Sequence, residues 1–217
     1  ILGAKVVIVA RREAELQKTL SLMEGSGHSY RVVDLADFDK VVSTIKEIVI
    51  SDGEKFDSIA HCAGMVKILP LRIINKGDID QIMNVNYYSF AAILKCVGSK
   101  KLFNDGGSIV VVSSYVSSYG QKANAVYGAS KGAINAMVKT AAKELLDRKI
   151  RINAINPIGI KTAMVLSQEE LANENESFSD LLKPEKVAAI IVGLLSDSFE
   201  YISGVILDVD KGKNWEG

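Results

Sequence analysis

From Ser113 to Lys131 the chain reads SSYVSSYGQKANAVYGASK, and this stretch holds a hydroxyl, a phenol and an amine. Tyr127 and Lys131 stand four residues apart, which on a helix puts them on one face a single turn from each other. A tyrosine, with an ordinary pKa of about 10, is a poor proton donor or acceptor at neutral pH until a nearby cation favours its phenolate. The ammonium of Lys131 would supply that charge, and Ser114 offers a hydroxyl that can hold a polar oxygen. By itself the pair is weak evidence: with seven tyrosines in the chain, roughly 0.6 Tyr-x-x-x-Lys matches arise by chance. A half-buried helix tyrosine above a solvated lysine accounts for the pair in isolation.

The elements around the stretch give it more weight. Residues 107–113, GSIVVVS, form a short β-branched run suited to a strand buried on both faces, and residues 123–146 read as a long helix. Ser114 therefore falls at the carboxyl end of a strand, the end at which open α/β sheets bind ligands. The same alternation runs along the chain. Strands are expected at 5–10, 29–33, 56–62, 107–113, 150–155 and 204–208, and helices at 12–22, 37–50, 78–103, 123–146 and 184–195. Strands alternating with helices of ten or more residues imply parallel βαβ units. The expectation is one α/β domain of Rossmann type, a doubly wound parallel sheet in three layers. Residues 162–183 are the least regular part and read either as a lid over the strand ends or as a solvated insertion.

Other residues at strand ends suit a ligand, each with a plain structural alternative. Arg11 and Arg12 follow the first strand where an acid could have stood. In this architecture a carboxylate would bind the ribose hydroxyls of NAD, whereas guanidinium groups pair with the 2′-phosphate of NADP. Solvated surface arginines are the alternative. Asp34 and Leu35 close the second strand and could flank an adenine, although an Asx turn explains Asp34 equally well. Ala63 and Gly64 after the third strand would let backbone pass close to a ligand, or form a simple turn. Asn86 is a poor residue for a helix interior, and its amide either bends the helix around a water or faces solvent.

Bulk properties narrow the function classes. Twenty-six basic residues balance twenty-six acidic ones, so nothing global steers the 217-residue chain towards nucleic acid or an anionic membrane. No apolar run reaches the roughly 18 residues needed to span a bilayer. Cys62, Cys96, His28 and His61 lack metal-ligand spacing, so structural roles are expected for all four, no metal is expected, and a reducing cytoplasm is the simplest compartment.

Taken together the motifs resemble the short-chain dehydrogenase/reductase family over essentially the whole chain. They are HCAG at 61–64, NVN at 84–86, SS at 113–114, YGASK at 127–131 and NPIGIKTAM at 156–164, in the family's order, with Ser114 thirteen residues before Tyr127. The resemblance implies an oxidoreductase in which Tyr127 is the proton donor, Lys131 supports it and binds the nicotinamide ribose, Ser114 orients the substrate oxygen, and Asn86 holds a relay water. It implies that Pro157, Ile160 and Thr162 border the nicotinamide, and that Asp34, Leu35, Ala63 and Gly64 border the adenosine. With Arg11 and Arg12, NADP(H) is expected in preference to NAD(H). The layout is most similar to 3-oxoacyl-[acyl-carrier-protein] reductases of fatty acid biosynthesis, which implies a small-molecule or acyl-thioester carbonyl substrate. A sugar, polyol or steroid alcohol dehydrogenase is the enzymatic alternative, and a catalytically silent nucleotide sensor or scaffold is the non-enzymatic one. Family members pair their long helices, so a homodimer or homotetramer is expected.

The chain departs from the family in three places. The family's first strand and Gly-rich phosphate loop are absent from the sequence, so the domain is expected to be N-terminally incomplete. His61 stands where asparagine is usual, which touches only an expected loop contact. Ile158 replaces the glycine usual after Pro157 and is expected to narrow the nicotinamide pocket.

Overall fold

The computed structural model describes residues 3–165 and 181–212. The first half contains β1 (Val7–Ala10), α1 (Glu13–Ser21), β2 (Ser29–Val32), α2 (Phe38–Asp52) and β3 (Phe56–His61), then α3 (Lys76–Met83), a π-helical turn (Asn84–Tyr88) and α4 (Ser89–Val97). The second half contains β4 (Phe103–Val112), α5 (Val116–Tyr119), α6 (Ala125–Glu144), β5 (Arg151–Pro157), α7 (Pro184–Leu195) and β6 (Ile206–Val209). Asp37 caps α2 by accepting from the Lys40 N–H, Asn75 caps α3 by accepting from Asp78, and Pro184 occupies the first turn of α7.

All strand pairs are parallel. β1 pairs with β2, and β3–β4–β5–β6 form a sheet in that order. Among the described residues no hydrogen-bonded strand joins the two sheets. The expected doubly wound arrangement follows from side-chain alternation along β4. Ile109 and Val111 enter a core with Val41 and Val42 of α2, Phe90 and Ile93 of α4, and Ile134 and Val138 of α6. Val110 and Val112 point the other way, towards Val187, Ile191 and Leu194 of α7. A strand buried on both faces must be apolar at every position, and each such Val or Ile contributes about 1.5–3 kcal/mol.

Most expected boundaries shift by one or two residues, and those around 97–103 and 123 matter for the site. The helix expected over 78–103 is interrupted by the π turn and ends at Val97, while Phe103 already belongs to β4. Arg148 fixes this junction, donating to the Val97 and Phe103 carbonyls at 2.6 Å each and to Asp105 Oδ1. The helix expected from Ala123 begins at Ala125, because Ala123 is left-handed (φ 63°) and Asn124 is non-helical. Most of the expected lid, residues 166–180, lies outside the described residues. Its two flanks are tied together: Leu182 donates to the Gly159 carbonyl at 2.8 Å and accepts from the Lys161 N–H at 2.9 Å, a parallel bridge between Ile160 and Leu182.

Candidate active site

The carboxyl ends of β3, β4 and β5 meet in register. His61 pairs with Val111 and Val112 with Ile155, and the ladder continues as Ser113 N–H donates to Ile155 and Tyr115 N–H to Pro157. Ala63 and Gly64, Ser113 and Ser114, and Pro157 therefore lie side by side. The hydroxyl-rich run after Ser114 folds into the short helix α5, for which the sequence offered no periodicity. Its start is set by a Ser114 turn in which Oγ accepts from the Val116 N–H at 3.3 Å.

Helix α6 crosses this edge and is fastened to it twice through one residue. Lys131 Nζ donates to the Val112 carbonyl at 2.9 Å, and Ser113 Oγ donates to the Lys131 carbonyl at 3.1 Å. Lys131 is buried, so the lysine that looks solvated in isolation is not on the surface. Burial brings its pKa down to about 8, against an opposing pull from Cys62. Its ammonium lies 5.8 Å from the centre of the Tyr127 ring. Burial raises the Tyr127 pKa, and a hydrogen bond with Ser114 pulls it partly back. The phenol thus keeps its proton at neutral pH. The expected depression by Lys131 is not found: burial of the phenol dominates, and the pull downwards comes from Ser114.

Asn86 is fully buried at the centre of the π turn, which excludes the solvent-facing alternative. Its Oδ1 accepts from the Met65 N–H at 2.7 Å, and its Nδ2 donates to the Met65 carbonyl at 3.0 Å and to Ser130 Oγ at 2.9 Å. Ser130 Oγ in turn donates to the Tyr127 carbonyl at 2.7 Å. One amide thereby joins the loop after β3 to the helix carrying Tyr127 and Lys131. Gly64 sits beneath both groups: a Cβ there would come within 3.3 Å of Lys131 Nζ and 3.5 Å of Asn86 Oδ1.

The remaining sequence candidates are placed as follows. Arg11 and Arg12 are exposed where β1 passes into α1. Asp34 Oδ1 accepts from the Ala36 N–H at 3.0 Å, so the Asx turn forms, and Leu35 packs partly against the core. Thr162 Oγ1 donates to the Ile160 carbonyl at 3.3 Å. The bridge to Leu182 uses the Gly159 carbonyl and the Lys161 N–H, so the N–H and carbonyl of Ile160 stay off it. Ile158 packs towards α7 against the second core.

Comparison with known proteins finds relatives over most of the chain. Residues 2–214 match a family model described as enoyl-(acyl carrier protein) reductase. A 3-oxoacyl-[acyl-carrier-protein] reductase of Thermotoga maritima is 34% identical over 185 residues, covering 83% of this chain and 75% of that protein. A versicolorin reductase of Emericella nidulans is 30% identical, over 97% of this chain and 86% of the relative. Carbonyl reductase family member 4 of Xenopus tropicalis is also 30% identical, over 95% of this chain and 86% of the relative. Among solved structures, a short-chain type dehydrogenase/reductase from Mycobacterium ulcerans superposes with a TM-score of 0.85 at 26% identity, over 97% of this chain and 81% of that one.

Proposed function

The chain belongs to the short-chain dehydrogenase/reductase family of NAD(P)-dependent oxidoreductases, and from that premise we propose that it uses NADPH to reduce a ketone to a secondary alcohol, the substrate being a 3-oxoacyl thioester of acyl carrier protein. The observation that carries the reduction is the meeting of Ser114, a protonated Tyr127 and a buried Lys131 ammonium at the carboxyl edge of the sheet. The thioester rests on similarity to the Thermotoga maritima enzyme.

The residues fit a nicotinamide dinucleotide. Lys131 carries three N–H donors, of which the Val112 carbonyl takes one, leaving donors for a ribose diol. Gly64 keeps the approach to that ammonium free of a side chain. Arg11 and Arg12 would hold the 2′-phosphate, with Asp34, Leu35, Ala63 and Gly64 along the adenosine and Pro157, Ile160 and Thr162 beside the nicotinamide. The bound cofactor supplies the hydride, which goes to the carbonyl carbon.

The protein supplies position and the proton. Ser114 Oγ and the Tyr127 hydroxyl hold the carbonyl oxygen, and Tyr127 gives that oxygen its proton as negative charge develops on it. The nearby Lys131 ammonium and the Ser114 hydroxyl stabilise the resulting phenolate. Asn86, with one oxygen lone pair not used by Met65, is placed to hold the water that returns a proton to the pair. The reading extends to a homodimer or homotetramer in the cytoplasm, which light scattering and cell fractionation check.

The test is NADPH oxidation with acetoacetyl thioesters, sugar ketones and steroid ketones, with Tyr127→Phe as control. Reduction of the thioester, lowered about a hundredfold or more in the variant, is expected. Turnover unchanged in Tyr127→Phe would defeat the mechanism, and reduction of only the other ketones would defeat the substrate assignment.

A further inference from the structure

One buried titratable side chain has no part in the mechanism above. His61, the last residue of β3, is 4% exposed and stacks on Phe90 of α4, with ring centres 5.6 Å apart and planes within 10°. Its Nε2 lies 3.0 Å from Ser89 Oγ, and that oxygen lies 2.6 Å from the Val85 carbonyl. Ser89 itself is fully buried at the end of the π turn.

Proton counting fixes the direction of this chain of bonds. The Ser89 hydroxyl has a single hydrogen, and the Val85 carbonyl can only accept, so the hydroxyl donates to Val85. The imidazole must then carry its hydrogen on Nε2 and donate to Ser89 Oγ. Burial, assisted by the Lys131 charge, holds the His61 pKa down at about 3, so the ring is neutral wherever the protein is folded and active.

The recipient is the strained part of the helix. The Ser89 N–H bonds to the Asn84 carbonyl five residues back, so the Val85 carbonyl loses the N–H that an α-helix would give it. The Ser89 hydroxyl satisfies it instead. Reversion to α-helical pairing shifts the register by one residue, a rotation of about 100°. Asn86 would then turn away from Met65 and Ser130.

We propose that His61, acting through the Ser89 hydroxyl, is a positioning residue for the reaction: it holds the π turn in the register that aims Asn86 at Met65 and Ser130. The proposal rests on the functional role given above to Asn86. It assigns a role to the position at which this chain departs from the family's usual asparagine.

The test uses the full chain with Ser89→Ala, His61→Phe, which keeps the ring and removes the donor, and His61→Gln, which returns an N–H at similar reach. Ser89→Ala and His61→Phe are each expected to lower kcat about tenfold while KM and the NADPH Kd move less than about twofold. Their double variant should be no slower than either single one, and His61→Gln should recover most of the loss. Amide hydrogen exchange should quicken at residues 85–89 and at Met65 in both slow variants. Full kcat in folded Ser89→Ala, or losses that multiply in the double variant, would overturn the proposal. If the native chain reduces no carbonyl compound, the functional reading fails, and exchange alone then decides: unchanged exchange at 85–89 overturns the positioning role, and faster exchange upholds it.

Discussion

Asn86 and Ser130 are joined by a 2.9 Å hydrogen bond between residues far apart in sequence, and through it the π turn is coupled to the helix that carries Tyr127 and Lys131. Asn86→Ala removes this bond and both bonds to Met65. Because it leaves the part-buried Met65 N–H without its acceptor, a loss of about 1–3 kcal/mol in urea unfolding is expected, along with reduced kcat. Asn86→Asp keeps the acceptor but sets a buried carboxylate oxygen against the Met65 carbonyl, so it should be no more stable than Asn86→Ala. Equal stability of all three proteins would show that the amide does not brace the site.

Gly64→Ala separates folding from function. The added methyl group meets the flexible end of Lys131 at 3.3 Å, which a small side-chain shift can absorb. Melting temperature should change by no more than about 3 °C, while NADPH affinity falls about tenfold because the ammonium is displaced. Fluorescence titration with NADPH checks this, and undiminished affinity would refute it.

Lys131 sets the pH dependence. Its pKa is lowered from 10.5 to about 8, so it is charged below about pH 8 and loses its proton above. The kcat/KM for ketone reduction should therefore decline as pH rises through 8, before Tyr127, whose own pKa is raised, begins to ionise. The sign for stability is opposite. Below about pH 8 the buried charge is costly in full; between about 8 and 10.5 the unfolded chain holds the proton that the folded chain has released, so the folded state gains as pH rises. A rate profile flat from pH 7 to 10 would rule out this assignment.

Arg11→Ala combined with Arg12→Ala tests cofactor choice. If the guanidinium groups hold a 2′-phosphate, the Kd for NADPH should rise about ten- to a hundredfold and that for NADH should stay unchanged. Equal changes for the two cofactors would remove the arginines from the phosphate site.

The site was legible in the sequence to different depths. Helix periodicity put Tyr127 and Lys131 on one face, and the motifs in register along the chain, not the pair alone, made them readable as a site. The strand 107–113 was readable because burial on both faces leaves an unbroken apolar run. The interruption at Asn84–Tyr88 was only hinted at by a poorly helical asparagine, since the partners that pay for it, Met65 and Ser130, are remote in sequence. His61 carried even less signal. The expected structural role holds, but its form, a bond with Ser89, arises only from the packing of β3 against α4. The early start of β4 was hidden by Asn104, Asp105 and two glycines, because the register against β3 shifts between Phe103 and Ser108 and Gly106 is left-handed (φ 80°); buried Phe103 and the Arg148 fork anchor the strand before this irregularity.

The bridge between Ile160 and Leu182 bears on how the chain tolerates changes in length. Leu182 ties the chain back to Gly159 and Lys161, so whatever lies between Thr162 and Leu181 leaves and returns at a fixed point beside the sheet. Lengthening a loop with pinned ends costs only about 0.6 kcal/mol per doubling. The tie at Leu182 therefore separates the length of chain between Thr162 and Leu181 from the placement of Ser114, Tyr127 and Lys131, which β4 and α6 hold.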